Sequence, residues 1–99
     1  MLRKEASSKP NKVLVTFEFP AAPWVKQVHL VGDFNEWDQQ ATPMVHRPRE
    51  KVWQVRLELD KGARYEFRYL VNGSEWLNDW HADEYVPNIH GSDNSVVRT

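Results

Sequence analysis

Apolar and polar side chains alternate along most of this chain. From Val13 to Phe19, Val13, Val15, Phe17 and Phe19 share one face and Leu14, Thr16 and Glu18 the other. That two-residue period predicts a half-buried strand. Pro20 and Pro23 stop it, and Trp24 follows in a loop as a cover over the sandwich edge. Lys26 to Val31 reads as a second strand, with Val28 and Leu30 inward and His29 outward. Met44 to His46 is at most a short edge strand, closed by Pro48. Lys51 to Leu59 alternates again, placing Trp53, Val55, Leu57 and Leu59 inward, and Asp60-Lys61-Gly62 turns the chain. Arg64 to Val71 is the strongest strand: Tyr65, Phe67, Tyr69 and Val71 face inward, and Arg64, Glu66, Arg68 and Leu70 outward. Asn72-Gly73 suits the two positive-φ positions of a type I′ hairpin turn. Ser74 to Leu77 is therefore the return strand, carrying Trp76. Asn78 to Asp93 is expected to be a polar loop, and Asn94 to Arg98 a short final strand.

No window carries a helical period, and turns recur at short intervals. The expected fold is all-β, an antiparallel β-sandwich of about seven short strands. Residues 1–12 hold little that could bury apolar area, so they are expected to form a flexible arm ahead of a domain spanning 13–99.

One loop departs from the alternation, Gly32-Asp33-Phe34-Asn35-Glu36-Trp37-Asp38. Gly32 can take positive φ, and Asp33 and Asn35 can bond the backbone two residues on. Such a loop turns Phe34 toward a core and Trp37 toward water, where it serves either as a packing plug or as a recognition surface.

Composition narrows the function. Ninety-nine residues with a net charge of -1 make one domain without a basic field, which argues against nucleic acid and an anionic membrane surface. No apolar run is long enough to cross a bilayer or to serve as a secretory signal, so a soluble, cytoplasmic protein is the expectation. The absence of cysteine excludes disulfides and thiolate metal sites. Five tryptophans are more than a core of this size absorbs, and the surplus points to a surface role.

Four segments stand in a shared order: Gly32-Asp33-Phe34-Asn35-Glu36-Trp37; Tyr65-Glu66-Phe67-Arg68-Tyr69-Leu70-Val71-Asn72-Gly73; Trp76 with Asp79; and Gly91-Ser92-Asp93-Asn94-Ser95-Val96-Val97. Together they resemble carbohydrate-binding module family 48, the isoamylase N-terminal or early-set domain. That family includes the glycogen-binding domain of the AMP-activated protein kinase β subunit. The resemblance covers roughly Val13 to Arg98. It implies an immunoglobulin-like sandwich that binds α-1,4-glucan (glycogen, starch or maltooligosaccharide) without catalysis, through two tryptophans, a basic residue and polar groups of the last loop. Trp37 and Trp76 fall on the tryptophans, the latter with one extra residue in the preceding hairpin. Arg68 stands where the kinase domain has lysine, and His90, Ser92 and Asn94 stand where it has leucine, threonine and asparagine. His90 removes an apolar wedge, and Trp80 replaces a proline common in the family. No cofactor is implied. The implied partners are an α-glucan and a glucan-metabolising enzyme or kinase that the domain could direct to it.

The chemistry fits these residues independently. A pyranose offers a flat patch of C–H groups that an indole matches at little cost in conformational entropy. Arg68 can donate two bonds at once, held by Glu66, and Asn94 offers donors and acceptors. The competing readings are an Arg68–Glu66 surface pair, Trp76 as a cross-strand packing partner, and a structural or protein-interaction domain with little sugar affinity. Enzyme readings are weaker. Asp33, Glu36 and Asp38 serve as loop formers rather than a glycosidase pair across a cleft. The spacing of His81, Asp83 and Glu84 matches no defined metal site, and no nucleophile elbow or phosphate loop is present.

Overall fold

Alternation is realised as two antiparallel sheets packed face to face. The structure, a computed structural model, describes residues 1–89 and 91–99. In chain order its strands are β1 (Leu2–Ala6), β2 (Lys12–Pro20), β3 (Val28–Gly32), β4 (Val45–Arg47), β5 (Val52–Asp60), β6 (Arg64–Val71), β7 (Glu75–Leu77), β8 (Glu84–Pro87) and β9 (Asp93–Arg98). One sheet has the order β1-β2-β5-β4 and the other β3-β6-β9-β8, with β7 also paired to β6. The architecture is the expected all-β sandwich.

The inward residues of both sheets make one core. Val15, Phe17 and Phe19 of β2 meet Val28 and Leu30 of β3, Phe67, Tyr69 and Val71 of β6, and Val97 of β9, all buried. Aromatic rings set its geometry. Phe17 meets Phe67 edge-on at 5.1 Å between centroids, and Phe19 meets Tyr69 at 5.2 Å. Such pairs each add about 0.5–1.5 kcal/mol beyond their area.

Two strands are additional to the seven expected. The segment expected as a flexible arm contains β1, which pairs with β2 from Leu2↔Phe17 to Ala6↔Val13. Most of its side chains are exposed, so little burial signals it. Backbone bonding to the edge of β2 holds it, aided by Arg3–Glu18 at 3.1 Å and Lys4–Asp83 at 2.6 Å. The second addition is β8, inside the expected Asn78–Asp93 loop, where it pairs with β9. The Asn72-Gly73 turn is as expected, with φ of 54° and 74°. Gly32 is not: its φ is −176°, an extended value open to any residue. Glycine is needed there for proximity, since a Cβ would lie 2.5 Å from the Glu66 carbonyl oxygen and 2.7 Å from the Phe67 Cβ.

A buried carboxylate joins the sheets. Asp79 accepts the Tyr69 phenol at 2.6 Å and the His81 backbone N–H at 2.7 Å, and it pairs with the Met1 amino group. Its own backbone N–H donates to Ser95 Oγ at 2.9 Å, and its carbonyl accepts the Tyr85 hydroxyl at 2.6 Å. Burial above all, and then the Asp79 charge, raises the Tyr69 phenol well above its ordinary range. The folded protein thus holds this proton more tightly than the unfolded chain does. That contribution is intact below about pH 10 and is lost as pH climbs beyond it.

Two predictions follow from these contacts. Gly32→Ala should lower stability by about 1–3 kcal/mol, as overpacking does, read from the urea midpoint. Tyr69→Phe should cost about 1–3 kcal/mol at neutral pH, because Asp79 loses a buried donor. Its deficit against the wild type should narrow as unfolding is measured toward about pH 11; a constant deficit would show that the phenol proton is not the source.

Candidate functional site

Because β6 alternates, what it turns away from the core is a row of its own. Register places Arg68 opposite Val31 of β3, and Leu70 opposite both His29 of β3 and Trp76 of β7. Glu66 stands opposite Val96 of β9, and Asn94 shares the outward parity of Val96. Arg68, Trp76 and Asn94 therefore come to the same outer face from three different strands.

Trp37 reaches that face from the loop after β3. Asp33–Asn35 form a short 3-10 turn. Phe34 packs inward, its ring 5.5 Å from Phe17 and 6.0 Å from Tyr65, and so anchors the loop. The Asn35 side chain accepts the Gly32 N–H at 3.1 Å and donates to the Leu30 carbonyl at 2.8 Å and to Thr42 at 2.9 Å. The bonds two residues on, expected of Asp33 and Asn35, are instead made by Asp38 to the Gln40 N–H. Glu36 and Trp37 both take left-handed backbone, at φ of 58° and 57°, and the Trp37 N–H closes the turn on the Gly32 carbonyl at 2.9 Å.

These elements enclose a groove of about 570 Å3, lined by Trp37, Gln39, Arg68, Trp76, Asn88, Ile89 and Asn94. Of the six residues singled out from sequence, Trp37, Arg68, Trp76 and Asn94 meet here, and both tryptophans are half-buried. Ser92 stands behind the lining, its hydroxyl accepting from Arg68 Nη1 at 3.4 Å and from Asn88 Nδ2 at 3.0 Å. The expectation for His90 lies outside the described residues. Gln39, Asn88 and Ile89 are lining residues that the periodicity did not reveal, since all three lie in loops. Ile89 is 94% exposed and gives the groove rim an apolar group.

The expected Arg68–Glu66 pair does not form. Glu66 accepts from Asn94 Nδ2 at 3.1 Å and lies 3.8 Å from Arg64, and Arg68 has no ion pair among the described residues. Arg68 Nε is shielded from water and likewise lacks a partner among them. Asn94 is nearly buried, and its carbonyl oxygen accepts from Asn88 at 3.3 Å. Its amide thus holds the groove together at both ends.

The remaining candidates sit elsewhere. Trp53 stacks on His46 at 4.9 Å and packs against the core. Trp24 is half exposed, and Trp80 lies flat on Phe19, 18° from parallel, with most of its surface in water. Asp83 is engaged by Lys4 and by the Arg98 N–H at 2.7 Å, and Glu84 by Arg64 at 3.4 Å. Burial pushes the Asp83 carboxyl up, but the Arg98 N–H and the Lys4 ammonium outweigh it and hold the group below its usual range. Chemically, the groove offers two indole faces, a guanidinium, amides and an aliphatic rim, with no carboxylate among the described residues of its lining. That set suits a neutral ligand with flat apolar faces and a hydroxylated edge.

Comparison with known proteins points the same way. The sequence pattern of carbohydrate-binding module 48 (isoamylase N-terminal domain) matches residues 12–86. The 1,4-alpha-glucan branching enzyme GlgB of Aquifex aeolicus is 44% identical over 61 residues, which cover 60% of this chain and 10% of that enzyme. GlgB of Nitrosomonas europaea is 38% identical over 68 residues, or 65% of the chain and 9% of the enzyme, and GlgB 2 of Rhizobium johnstonii is 45% identical over 50 residues. The chain spans about a tenth or less of the length of these relatives. With most of its length matched by that pattern and its strands forming two packed antiparallel sheets, the chain belongs to the carbohydrate-binding module 48 family.

Proposed function

We propose that this domain binds α-1,4-glucan without catalysis, using Trp37 and Trp76 as stacking platforms and Arg68 as the donor between them. The observation that carries the reading is the convergence on one groove of two half-buried indoles and a guanidinium that has no ion pair among the described residues. Each indole receives the C–H face of one glucose, while Arg68 and the outer amide groups take hydroxyls. Ile89 supplies an apolar contact at the groove rim. Among the described residues the lining holds no pair of carboxylates such as glycosidic cleavage uses. A shallow groove of this kind binds a single oligosaccharide weakly and gains strength on a polymer carrying many copies of the ligand. The names of the related branching enzymes supply the substrate class, and directing an attached or associated enzyme to glycogen or starch is the role that follows. A structural reading draws on Trp24 and Trp80, two exposed indoles outside the groove that fit protein contact.

Titration with maltoheptaose, followed by tryptophan fluorescence and amide shifts, separates the two. Binding should appear by millimolar sugar, and Trp37→Ala and Trp76→Ala should each weaken it by about tenfold or more, while Trp80→Ala leaves it unchanged. Arg68→Ala should weaken it by a smaller factor, roughly fivefold, as loss of charge-assisted bonds to exposed hydroxyls does. No response at millimolar sugar would leave the structural reading in possession.

A further inference from the structure

Asp33 lies outside the groove, yet its carboxylate ties a lining residue to the strand beneath. Oδ1 accepts the Trp37 indole N–H at 2.9 Å, and Oδ2 accepts the Glu66 backbone N–H at 2.7 Å. We infer that Asp33 is the positioning residue that fixes Trp37 face-on as a stacking platform, an inference that rests on the glucan-binding reading above.

Three observations converge on it. First, the indole N–H is the only donor that the Trp37 side chain has. With that donor taken by Asp33, what remains for a ligand is a ring face, so Trp37 selects C–H surface rather than hydroxyl oxygens. Second, β3 ends its pairing with β6 at Gly32↔Phe67, and the Asp33 side chain takes the next N–H along β6, that of Glu66. One carboxylate thus continues the ladder where the backbone leaves it and, from the same rigid point, orients the indole. Third, the loop that carries Trp37 runs through two successive left-handed residues that are not glycine, Glu36 and Trp37. Such a conformation persists only where its surroundings over-determine it. Swinging the ring about its side-chain torsions breaks the bond to Asp33, so the platform is set before any ligand arrives, which spares binding the cost of ordering it.

The geometry also explains why aspartate suits the position. Two N–H donors converge on it, and a carboxylate meets both with an acceptor. Asparagine, of the same shape, turns an amide N–H toward one of them. The carboxylate further polarises the indole through its N–H, enriching the ring face that the sugar C–H groups meet. The network continues beyond it: the side chain of Glu66, whose backbone Asp33 holds, accepts from Asn94 on the opposite wall.

The test uses Asp33→Asn, which conserves volume, and needs two readouts. In 1H–15N spectra of the free protein, the Trp37 indole N–H should exchange faster with solvent in the variant. Maltoheptaose affinity should fall by about tenfold, the worth of one charge-assisted hydrogen bond. In a Trp37→Phe background, which has no N–H to hold, the same substitution should change affinity by less than about twofold. Wild-type affinity in Asp33→Asn would overturn the inference. So would an equal loss in both backgrounds, which would place the effect in the Glu66 contact and the general stability of the loop. If the wild-type protein shows no response to maltoheptaose, the glucan reading fails on its own, and indole exchange alone then decides whether Asp33 holds Trp37.

Discussion

The groove depends on a side chain that is absent. Gly32 presses its Cα so closely on β6 that any Cβ would strike the Glu66 carbonyl and the Phe67 side chain. Because β3 ends in that contact, the next residues turn directly over β6 rather than away from it. Phe34 then falls between Phe17 and Phe67, and Asp33 comes within reach of the Glu66 N–H. Trp37 closes the turn on the Gly32 carbonyl itself. Adding one methyl group here disturbs the core, the loop anchor and the first tryptophan together, which separates this glycine from those whose value lies in backbone freedom.

The opposite wall is fixed by different physics. Trp76 stands on a strand of three residues, and the chain leaving that strand meets Asp79, whose side chain is shut off from water. An unpaired carboxylate in such a place would be costly, and here the Tyr69 phenol, the His81 N–H and the Met1 amino group satisfy it. Tyr69 belongs to β6, as does Glu66, whose N–H donates to Asp33. Two carboxylates, one exposed and one buried, therefore fasten the two tryptophan-bearing segments to the same strand. That common reference is what brings two side chains about forty residues apart into one groove.

The residues that formed the core were legible because their period is two and their environment apolar. Val15-Phe17-Phe19 and Phe67-Tyr69-Val71 could face only one way, and the outward position of Arg68 followed by parity. The strands that hydrophobic pattern cannot show are those held mainly by backbone hydrogen bonds and ion pairs. β1 leaves nearly all its side chains in water, and β8 shows two exposed residues, Tyr85 and Pro87, on the alternate positions where a half-buried strand would show apolar burial. Side-chain partnership was equally hidden. Adjacent outward positions on β6 suggested that Glu66 serves Arg68, but the carboxylate turns across the sheet to Asn94, because β9 lies beside that part of β6 and brings an amide to 3.1 Å. Proximity along a strand was no guide to proximity across it. Gln39, Asn88 and Ile89 were silent for a further reason: a loop has no period from which to read a direction.

The groove divides into parts with different jobs on the glucan reading. Trp37, Arg68 and Trp76 lie within the stretch that matches the family pattern, while Asn88, Ile89 and Asn94 lie beyond its end. The first set stands on or is tied to β6, a strand that also carries Phe67, Tyr69 and Val71 of the core, so its geometry is enforced by the same packing that stabilises the fold. Of the second set, Asn88 and the exposed Ile89 lie in the connection after β8 and shape the rim, while Asn94 stands on β9, nearly buried, and bonds both Asn88 and Glu66. On this reading, flat indoles held by the core would accept any run of glucose units, since stacking reads a surface rather than a sequence of hydroxyls. The curvature of the chain that fits between them is then set by the rim. On that reading, affinity per site and choice of chain shape are separable, because the loop residues Asn88 and Ile89 can vary without disturbing the strands that hold the indoles.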